Sequence, residues 1–148
     1  IRFSMNMVNN FQLNLSIQKS RNLALSFSNN QLTESTRNGV TIGSGYRFKD
    51  VAFTIQAGNK THNLKSDIVL QFNLTYNDNK TQIRKINQGI NQISTGSKVW
   101  MAELSADYAI SSTLTLRAFF QTNINTPYIS NAYPNSTTKG GITVRFSF

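Results

Sequence analysis

Apolar and polar residues alternate with a period of two along most of the chain. The clearest case is the segment GGITVRFSF (140–148), where every second residue from Ile142 onward is apolar: Ile142, Val144, Phe146 and Phe148. This period is typical of a β-strand with one apolar face, whereas an amphipathic helix repeats every three to four residues. The pattern therefore predicts an all-β protein, and the chain forms one domain over residues 1–148 with no separate soluble domain.

The alternation predicts nine strands, separated by residues that favour turns. Their apolar faces cover residues 1–17, 23–27, 40–48, 51–55, 68–76, 82–88, 100–108, 114–120 and 142–148. Connections after odd-numbered strands are short (19–22, 48–51, 77–80 and 111–113), and those after even-numbered strands are longer (29–38, 58–66, 89–97 and 123–139). Short periplasmic turns and long outer loops are typical of outer-membrane barrels. We therefore expect an antiparallel transmembrane β-barrel sector in the bacterial outer membrane.

Aromatic residues also differ between the short-turn ends of the predicted strands and the long-loop ends, which we call the two rims. Rings gather at the short-turn ends of the predicted strands, where we expect a periplasmic girdle: Tyr46, Phe48, Tyr76, Tyr108, Phe146 and Phe148. A second, outer-rim set is predicted at Phe27, Trp100 and Phe120. Such rings prefer the headgroup level of a membrane. The alternative is that they form the ordinary core of a soluble β-sandwich.

Composition narrows the chemistry further. The chain has no cysteine and one histidine, His62, which we place in a loop without a second ligand, so neither a thiolate metal site nor a histidine-based catalytic triad is predicted. Its 15 Lys and Arg against 6 Asp and Glu give a net charge of +9. These cations are scattered singly, which does not favour nucleic-acid binding. The mean hydropathy of −0.33 fits a barrel whose inner residues are polar.

Charged residues on the polar side of the predicted strands are expected to face a water-filled lumen: Arg47, Glu103, Asp107, Arg117 and Arg145. Glu103 and Asp107 lie four residues apart in a strand, about 13 Å, which is too far for a glycosidase pair. We expect them to pair with Arg117. No enzymatic activity, cofactor or metal is predicted.

The segment NTPYISNAYPN (125–135) contains both prolines of the chain, Pro127 and Pro134. Because proline fixes φ, we expect an ordered outer loop, with Tyr128 and Tyr133, folded back on the barrel mouth. Bacterial barrels have even strand numbers. An odd count of nine therefore predicts the C-terminal part of a larger barrel, whose last strand (Ile142, Val144, Phe146 and Phe148) is read by the insertion machinery.

Several stretches together resemble the C-terminus of the SprA/Sov family, the outer-membrane translocons of the type IX secretion system in Bacteroidota, also tied to gliding motility. They are KSRNLALSFSNNQLTE (19–34), GYRFKDV (45–51), NDNKTQIRKINQGINQISTGSKVW (77–100), LSADYAISSTLTLRAFF (104–120) and NTPYISNAYPNSTTKGGITVRFSF (125–148). The most specific part is the pattern of Thr126, Pro127, Tyr128, Ser130, Ala132 and Tyr133.

This resemblance implies a very large barrel that conducts folded cargo proteins across the outer membrane. It also implies membrane lipid, the remaining strands of the same barrel, a lid-like barrel partner and a periplasmic plug as partners. Two alternatives stay open from the residues alone. One is the C-terminal half of a small-molecule uptake barrel, and the other is a soluble β-sandwich binding module.

Overall fold

In the computed structural model, the described residues are 1–6, 10–57, 60–111, 113–129 and 132–147, with residues 53, 55–57 and 60–64 described by their backbone alone. They form one antiparallel sheet of seven strands, each paired with its neighbours in chain order. The strands are β1 (Arg2–Asn6), β2 (Phe11–Ser26), β3 (Gln31–Ala57), β4 (Lys60–Lys85), β5 (Ile90–Ala109), β6 (Leu114–Pro127) and β7 (Asn135–Phe146). A 3₁₀ turn at Ile86–Gln88 joins β4 to β5. The predicted all-β class is confirmed.

The sheet has seven strands where the sequence predicted about nine, because three predicted turns lie inside strands, while the first predicted strand (1–17) is divided between β1 and the start of β2. Residues 19–22 belong to β2, 48–51 to β3 and 77–80 to β4. These residues have turn chemistry, but their backbone is paired across the sheet, as Lys19 with Asn38 and Asp78 with Lys98 show. Residues 77–80 are paired on both sides, with β3 and β5, whereas 19–22 pair with β3 alone and 48–51 pair with β4 alone around a β-bulge. Pairing within the sheet outweighs local propensity in all three. The fourth predicted turn, at 111–113, falls between β5 and β6, where Ile110 N–H donates to the Leu114 carbonyl at 2.8 Å, although residue 112 itself lies outside the described residues.

The predicted difference in connection length between the two rims is wrong for the described residues. Most of the expected long loops are strand: 29–38 falls largely in β3, 89–97 largely in β5, and 123–139 is divided between β6 and β7. The region 58–66 continues β4 from Lys60, so the backbone of His62 pairs with Ile55 and does not lie in a loop. Loop length therefore gives no support to the sidedness of the sheet.

The β3–β4 hairpin extends beyond its neighbours as a two-stranded arm. The pairing of β2 with β3 ends at Tyr46, and the pairing of β5 with β4 ends at Ile68, whereas β3 and β4 stay paired to Ala57 and Lys60. A β-bulge interrupts the register at the base of the arm, between Phe48 and Val51. This bulge is the feature that the sequence analysis interpreted as a turn.

The sheet is a single layer without a core of its own. Among the described residues no hydrophobic side chain is buried, and many large apolar ones are exposed on one face. Strands β1 and β7 do not pair with each other, so the described sheet is open, and the larger barrel of which it was predicted to be a sector stays a prediction. The structure thus presents one broad apolar face that no described segment covers.

Candidate membrane-facing surface and polar face

One face of the sheet carries an apolar band nine residues long on each central strand. On β4 the band runs from Ile68 to Tyr76, and on β5 it runs from Trp100 to Tyr108, paired in register. It includes residues 40–48 of β3 and 116–124 of β6. At about 3.4 Å per residue, the band is about 27 Å long. This matches the 9 to 11 residues that a tilted membrane strand needs.

Two cross-strand rows end the band. The Tyr108 row contains Phe48, Ile68, Tyr108, Leu116 and Val144. The Trp100 row contains Ile17, Val40, Tyr76, Trp100 and Ile124. Between these rows the exposed side chains are largely aliphatic or aromatic, and Leu104 and Phe120 are 47% and 50% exposed.

The register corrects part of the predicted aromatic girdles. Tyr46, Phe48 and Tyr108 lie at or next to the Tyr108 row, and the rings of Tyr46 and Phe48 are 4.6 Å apart in an edge-to-face arrangement. Phe146 lies opposite Leu114 at the same end. Tyr76, predicted in this set, instead packs against Trp100 at the opposite end. Because β3 continues through the predicted turn, β4 runs in the opposite direction to that expected.

The predicted outer-rim set is corrected in the same way. Trp100 lies at an end of the band, but Phe120 pairs with Leu104 in its middle. Phe27 lies after the end of β2, ten positions beyond Ile17 of the Trp100 row, in the connection to β3. The remaining girdle residue, Phe148, lies outside the described residues, so its place in the predicted assembly strand stays a prediction.

The other face of the sheet is polar and carries the five residues predicted to face a lumen. Arg47, Asp107 and Arg117 lie in one row, and Arg117 Nε is 3.3 Å from Asp107 Oδ1. Glu103 lies opposite Asn73 and Gln121, and Arg145 lies opposite Thr115. The expected contact of Arg117 is therefore made with Asp107. These charges are partly exposed, which is compatible with a hydrated surface.

Two glycines of β3 make room for amide side chains on this polar face, which sequence reasoning missed. A Cβ atom at Gly43 would lie 2.7 Å from Asn73 Oδ1, and one at Gly39 would lie 2.7 Å from Asn77 Oδ1. The amides of β4 therefore extend over the backbone of β3. The signal in the sequence was the repetition of glycine on one face of a strand, at positions 39, 43 and 45.

A buried carboxylate lies beyond the Trp100 row on the apolar face. Glu34 accepts a hydrogen bond from Arg21 Nε at 2.6 Å, and its second oxygen contacts Arg84. The hydrogen bond and charge of Arg21, together with Arg84, lower the pKa of Glu34 below its ordinary value despite its burial. Sequence analysis placed Glu34 in a loop and did not single it out.

The segment predicted as an ordered loop is divided between strand and connection. Pro127 ends β6, opposite Ser97, and Pro134 precedes β7. The Tyr128 hydroxyl donates to Asp78 at 2.7 Å, and Lys98 Nζ lies 5.3 Å from the Tyr128 ring centroid. Partial burial and the Asp78 hydrogen bond raise the pKa of Tyr128 to about 12. Tyr133 is 85% exposed, so its side chain packs little against the described residues.

Comparison with known proteins leaves the family open. The chain matches no protein-family model, and no curated protein has a significantly similar sequence. Within the described ranges, no helix is long and apolar enough to cross a membrane. No cluster of three or more potential metal-binding side chains occurs in that same part of the chain.

Proposed function

We propose that the chain is part of the wall of a bacterial outer-membrane β-barrel. The apolar band faces lipid, and the polar face lines a water-filled pore that conducts secreted protein cargo. The observation that carries the proposal is the exposed band itself, nine residues long on adjacent strands β4 and β5 and ended by Tyr76 with Trp100. A surface of this length matches the hydrocarbon thickness that a barrel strand crosses.

The absence of a second layer favours lipid over water as the environment of the band. Soluble monomers rarely expose contiguous apolar patches larger than a few hundred Å². A sandwich would cover this face with a second sheet, and the described residues supply none. In a membrane no second layer is needed, because the acyl chains cover the apolar side chains.

A barrel in lipid requires more strands than the described sheet contains. Strands β1 and β7 each have one edge without a partner among the described residues. An unpaired backbone group in hydrocarbon costs several kcal/mol, so open edges are not tolerated there. We infer that further strands complete the barrel, in keeping with the large barrel implied by the SprA/Sov resemblance.

The resemblance to the SprA/Sov family is the basis for proposing protein as the cargo, together with a lid-like partner and a periplasmic plug. Strand length is compatible with this size of assembly. Strands β3 and β4 contain 27 and 26 residues, more than twice the number needed to cross a bilayer. The wall therefore extends well beyond the membrane, with the Trp100 end placed outward in this proposal.

Paired cysteine substitutions test which face of the sheet contacts lipid and which contacts water. Leu104→Cys and Phe120→Cys lie on the band, and Glu103→Cys and Gln121→Cys lie next to them on the polar face. This chain has no native cysteine, so each new thiol is unique within it. We expect the first pair to react with lipid-soluble maleimides and the second with water-soluble ones. The reverse result would overturn the proposal.

Cargo conduction needs a separate test in secreting cells. A photo-reactive amino acid at Gln121 is expected to cross-link cargo during export, whereas one at the adjacent Phe120 is expected to cross-link lipid or a neighbouring protein. Cargo cross-links at Phe120 alone would contradict the assignment of the polar face. Uptake of small solutes, without cargo cross-links at either position, would show that the protein is a small-molecule transporter and not a translocon.

A further inference from the structure

The surface changes from apolar to basic immediately beyond the Trp100 row. On the same face, the next position of each strand brings Lys19 on β2 and Lys98 on β5, with Asn38 and Asp78 between them. One step further lie Arg21 and Lys80, on either side of Thr36. We call Lys19, Arg21, Lys80 and Lys98 the basic border.

The anionic groups nearby neutralise the basic border only in part, because Glu34 pairs with Arg21 and the carboxylate of Asp78 lies opposite Lys98. Glu34 is held between Arg21 and Arg84, and Asp78 accepts the hydrogen bond of Tyr128. Within the described part of the chain, Lys19 and Lys80 have no ion-pair partner. The border therefore keeps a positive charge next to an apolar surface.

The opposite end of the apolar band lacks this excess. There the described positions that follow the Tyr108 row on the same face are uncharged: Val51 and Ser66 on the β3–β4 arm, and Leu114 and Phe146 on β6 and β7. Lys65 Nζ lies 3.2 Å from Asp50 Oδ1. The two ends of the band thus differ in charge, although both carry aromatic rings.

The spacing of the cations suits separate phosphate groups. Lys19 and Arg21 follow one another on one face of β2, about 7 Å apart at the backbone. Lys80 and Lys98 lie on adjacent strands β4 and β5, about 10 to 14 Å across the sheet from β2. The hydrogen bond to Glu34 orients Arg21, whose side chain is still 57% exposed. Each pair of cations can contact the oxygens of one phosphate.

The depth of the basic border favours lipid as the source of that phosphate. Tyr76 and Trp100 lie one step away, and such rings prefer the headgroup level. Long basic side chains next to them reach the same level with their charged ends. We propose that the basic border binds the phosphate groups of anionic lipid headgroups in the leaflet next to the Trp100 row. This inference rests on the membrane location proposed above.

Quenching of Trp100 by brominated lipids tests the proposal. Trp100 is the single tryptophan of the chain. The fluorescence that disappears in the Trp100→Phe variant is the signal of Trp100, even when the remaining strands of the barrel contain other tryptophans. The intact protein is reconstituted in bilayers that contain brominated phosphatidylglycerol or brominated phosphatidylcholine at equal fractions. We expect an apparent preference of about fivefold for the anionic lipid, which weakens with rising salt.

Matched variants test whether the preference for anionic lipid depends on the basic border. The variant K19Q/R21Q/K80Q/K98Q is expected to lose the preference. The control R37Q/R47Q/K139Q/R145Q removes the same charge from the opposite face and is expected to keep it. The conservative variant K19R/K80R/K98R retains the charges and is expected to keep the preference, which separates charge from folding defects.

Each outcome has a distinct meaning. Equal quenching by both lipids overturns the headgroup proposal while the membrane location stands. Quenching by neither lipid overturns the membrane location itself. Binding of inorganic phosphate by the basic border, without any preference for the anionic lipid in its absence, identifies free phosphate as the ligand and overturns lipid as its source. A preference that survives in the glutamine variant also overturns the proposal.

Discussion

The rings of Tyr76 and Trp100 face each other across β4 and β5, with centroids 4.6 Å apart and planes inclined at 42°. The next residues on the same face are Asp78 and Lys98, which are also paired across the two strands. One step along the pleat therefore changes the surface from aromatic to ionic. If the apolar band lies in a bilayer, this step marks the end of the hydrocarbon.

A double-mutant cycle on Tyr76 and Trp100 should reveal a favourable coupling. Aromatic pairs at this separation contribute about 0.5 to 1.5 kcal/mol beyond the area they bury. We expect the free energies of unfolding of Tyr76→Ala, Trp100→Ala and the double variant, measured in urea with lipid bilayers, to give a coupling of about 1 kcal/mol.

The control cycle combines Trp100→Ala with Phe120→Ala. Phe120 pairs with Leu104, two rows away from Trp100, so the two losses should add. Additive losses for Tyr76 and Trp100 as well would show that their ring contact does not stabilise the protein.

The fold class and the two faces could be predicted because period-two alternation is a local property of the chain. Strand number and register could not. Residues such as Lys19 and Asp78 favour turns in isolation, but here Lys19 pairs with Asn38 and Asp78 with Lys98. Strands this long continue from an apolar band into polar surroundings, so their polar ends look like turns in the sequence.

The residues of the candidate site also divide into those that alternation could predict and those that depend on strand register. Asp107 and Arg117 were placed on one face by alternation, and the structure brings them into contact. Glu34 depends on Arg21 of β2 and Arg84 of β4, two strands that are far from each other in the sequence. Without the register, nothing in the sequence connects these three residues.

Replacing Glu34 with Gln is expected to destabilise the protein at neutral pH, because Arg21 and Arg84 would lose their shared carboxylate. Pairing lowers the folded-state pKa of Glu34 below its ordinary value of 4.5. The stabilisation is therefore complete above the ordinary value and is lost as the pH falls through the folded-state pKa. Urea midpoints of the wild type and E34Q should differ at pH 7 and converge in acid.

Asp50→Asn is the matched control for Glu34, since it removes a carboxylate from the exposed ion pair with Lys65. Exposed pairs contribute little to stability, so its midpoint should change little at any pH. A constant difference between E34Q and the wild type from neutral pH into acid would contradict the role assigned to the Glu34 charge.

Replacing Gly96 with Ala is expected to cost about 2 to 3 kcal/mol. Gly96 has a φ of +146°, and a Cβ atom there would overlap the carbonyl oxygen of Asn79. A β-bulge at the nearby Ser94 interrupts the register of β5 with β4, since Thr95 pairs with Thr81 and Ile93 with Gln82. The backbone next to this bulge would have to move. The free energy of unfolding in urea measures the loss.

Gly89→Ala provides the comparison for Gly96. Gly89 has a φ of +63°, with no atom within 4 Å of an added Cβ, so only the conformational cost of about 1 kcal/mol remains. Equal losses at the two positions would show that the close approach of Asn79 is relieved without strain.

Replacing Glu103 with Ala is expected to leave the protein assembled and to change the ion selectivity of its pore. Glu103 lies on the polar face opposite Asn73 and Gln121, and within the described residues it has no ion pair. A charge on a hydrated face contributes little to stability, so the free energy of unfolding should change by no more than about 0.5 kcal/mol. Loss of this carboxylate should shift the reversal potential, measured across a planar bilayer in a salt gradient, towards the value expected for anion selectivity.

Asp50→Asn is the control, because it removes the same charge from the base of the β3–β4 arm, outside the band, and it should shift the potential less. Failure of E103A to assemble would show that Glu103 is structural, and normal assembly with unchanged selectivity would show that this face does not line the pore.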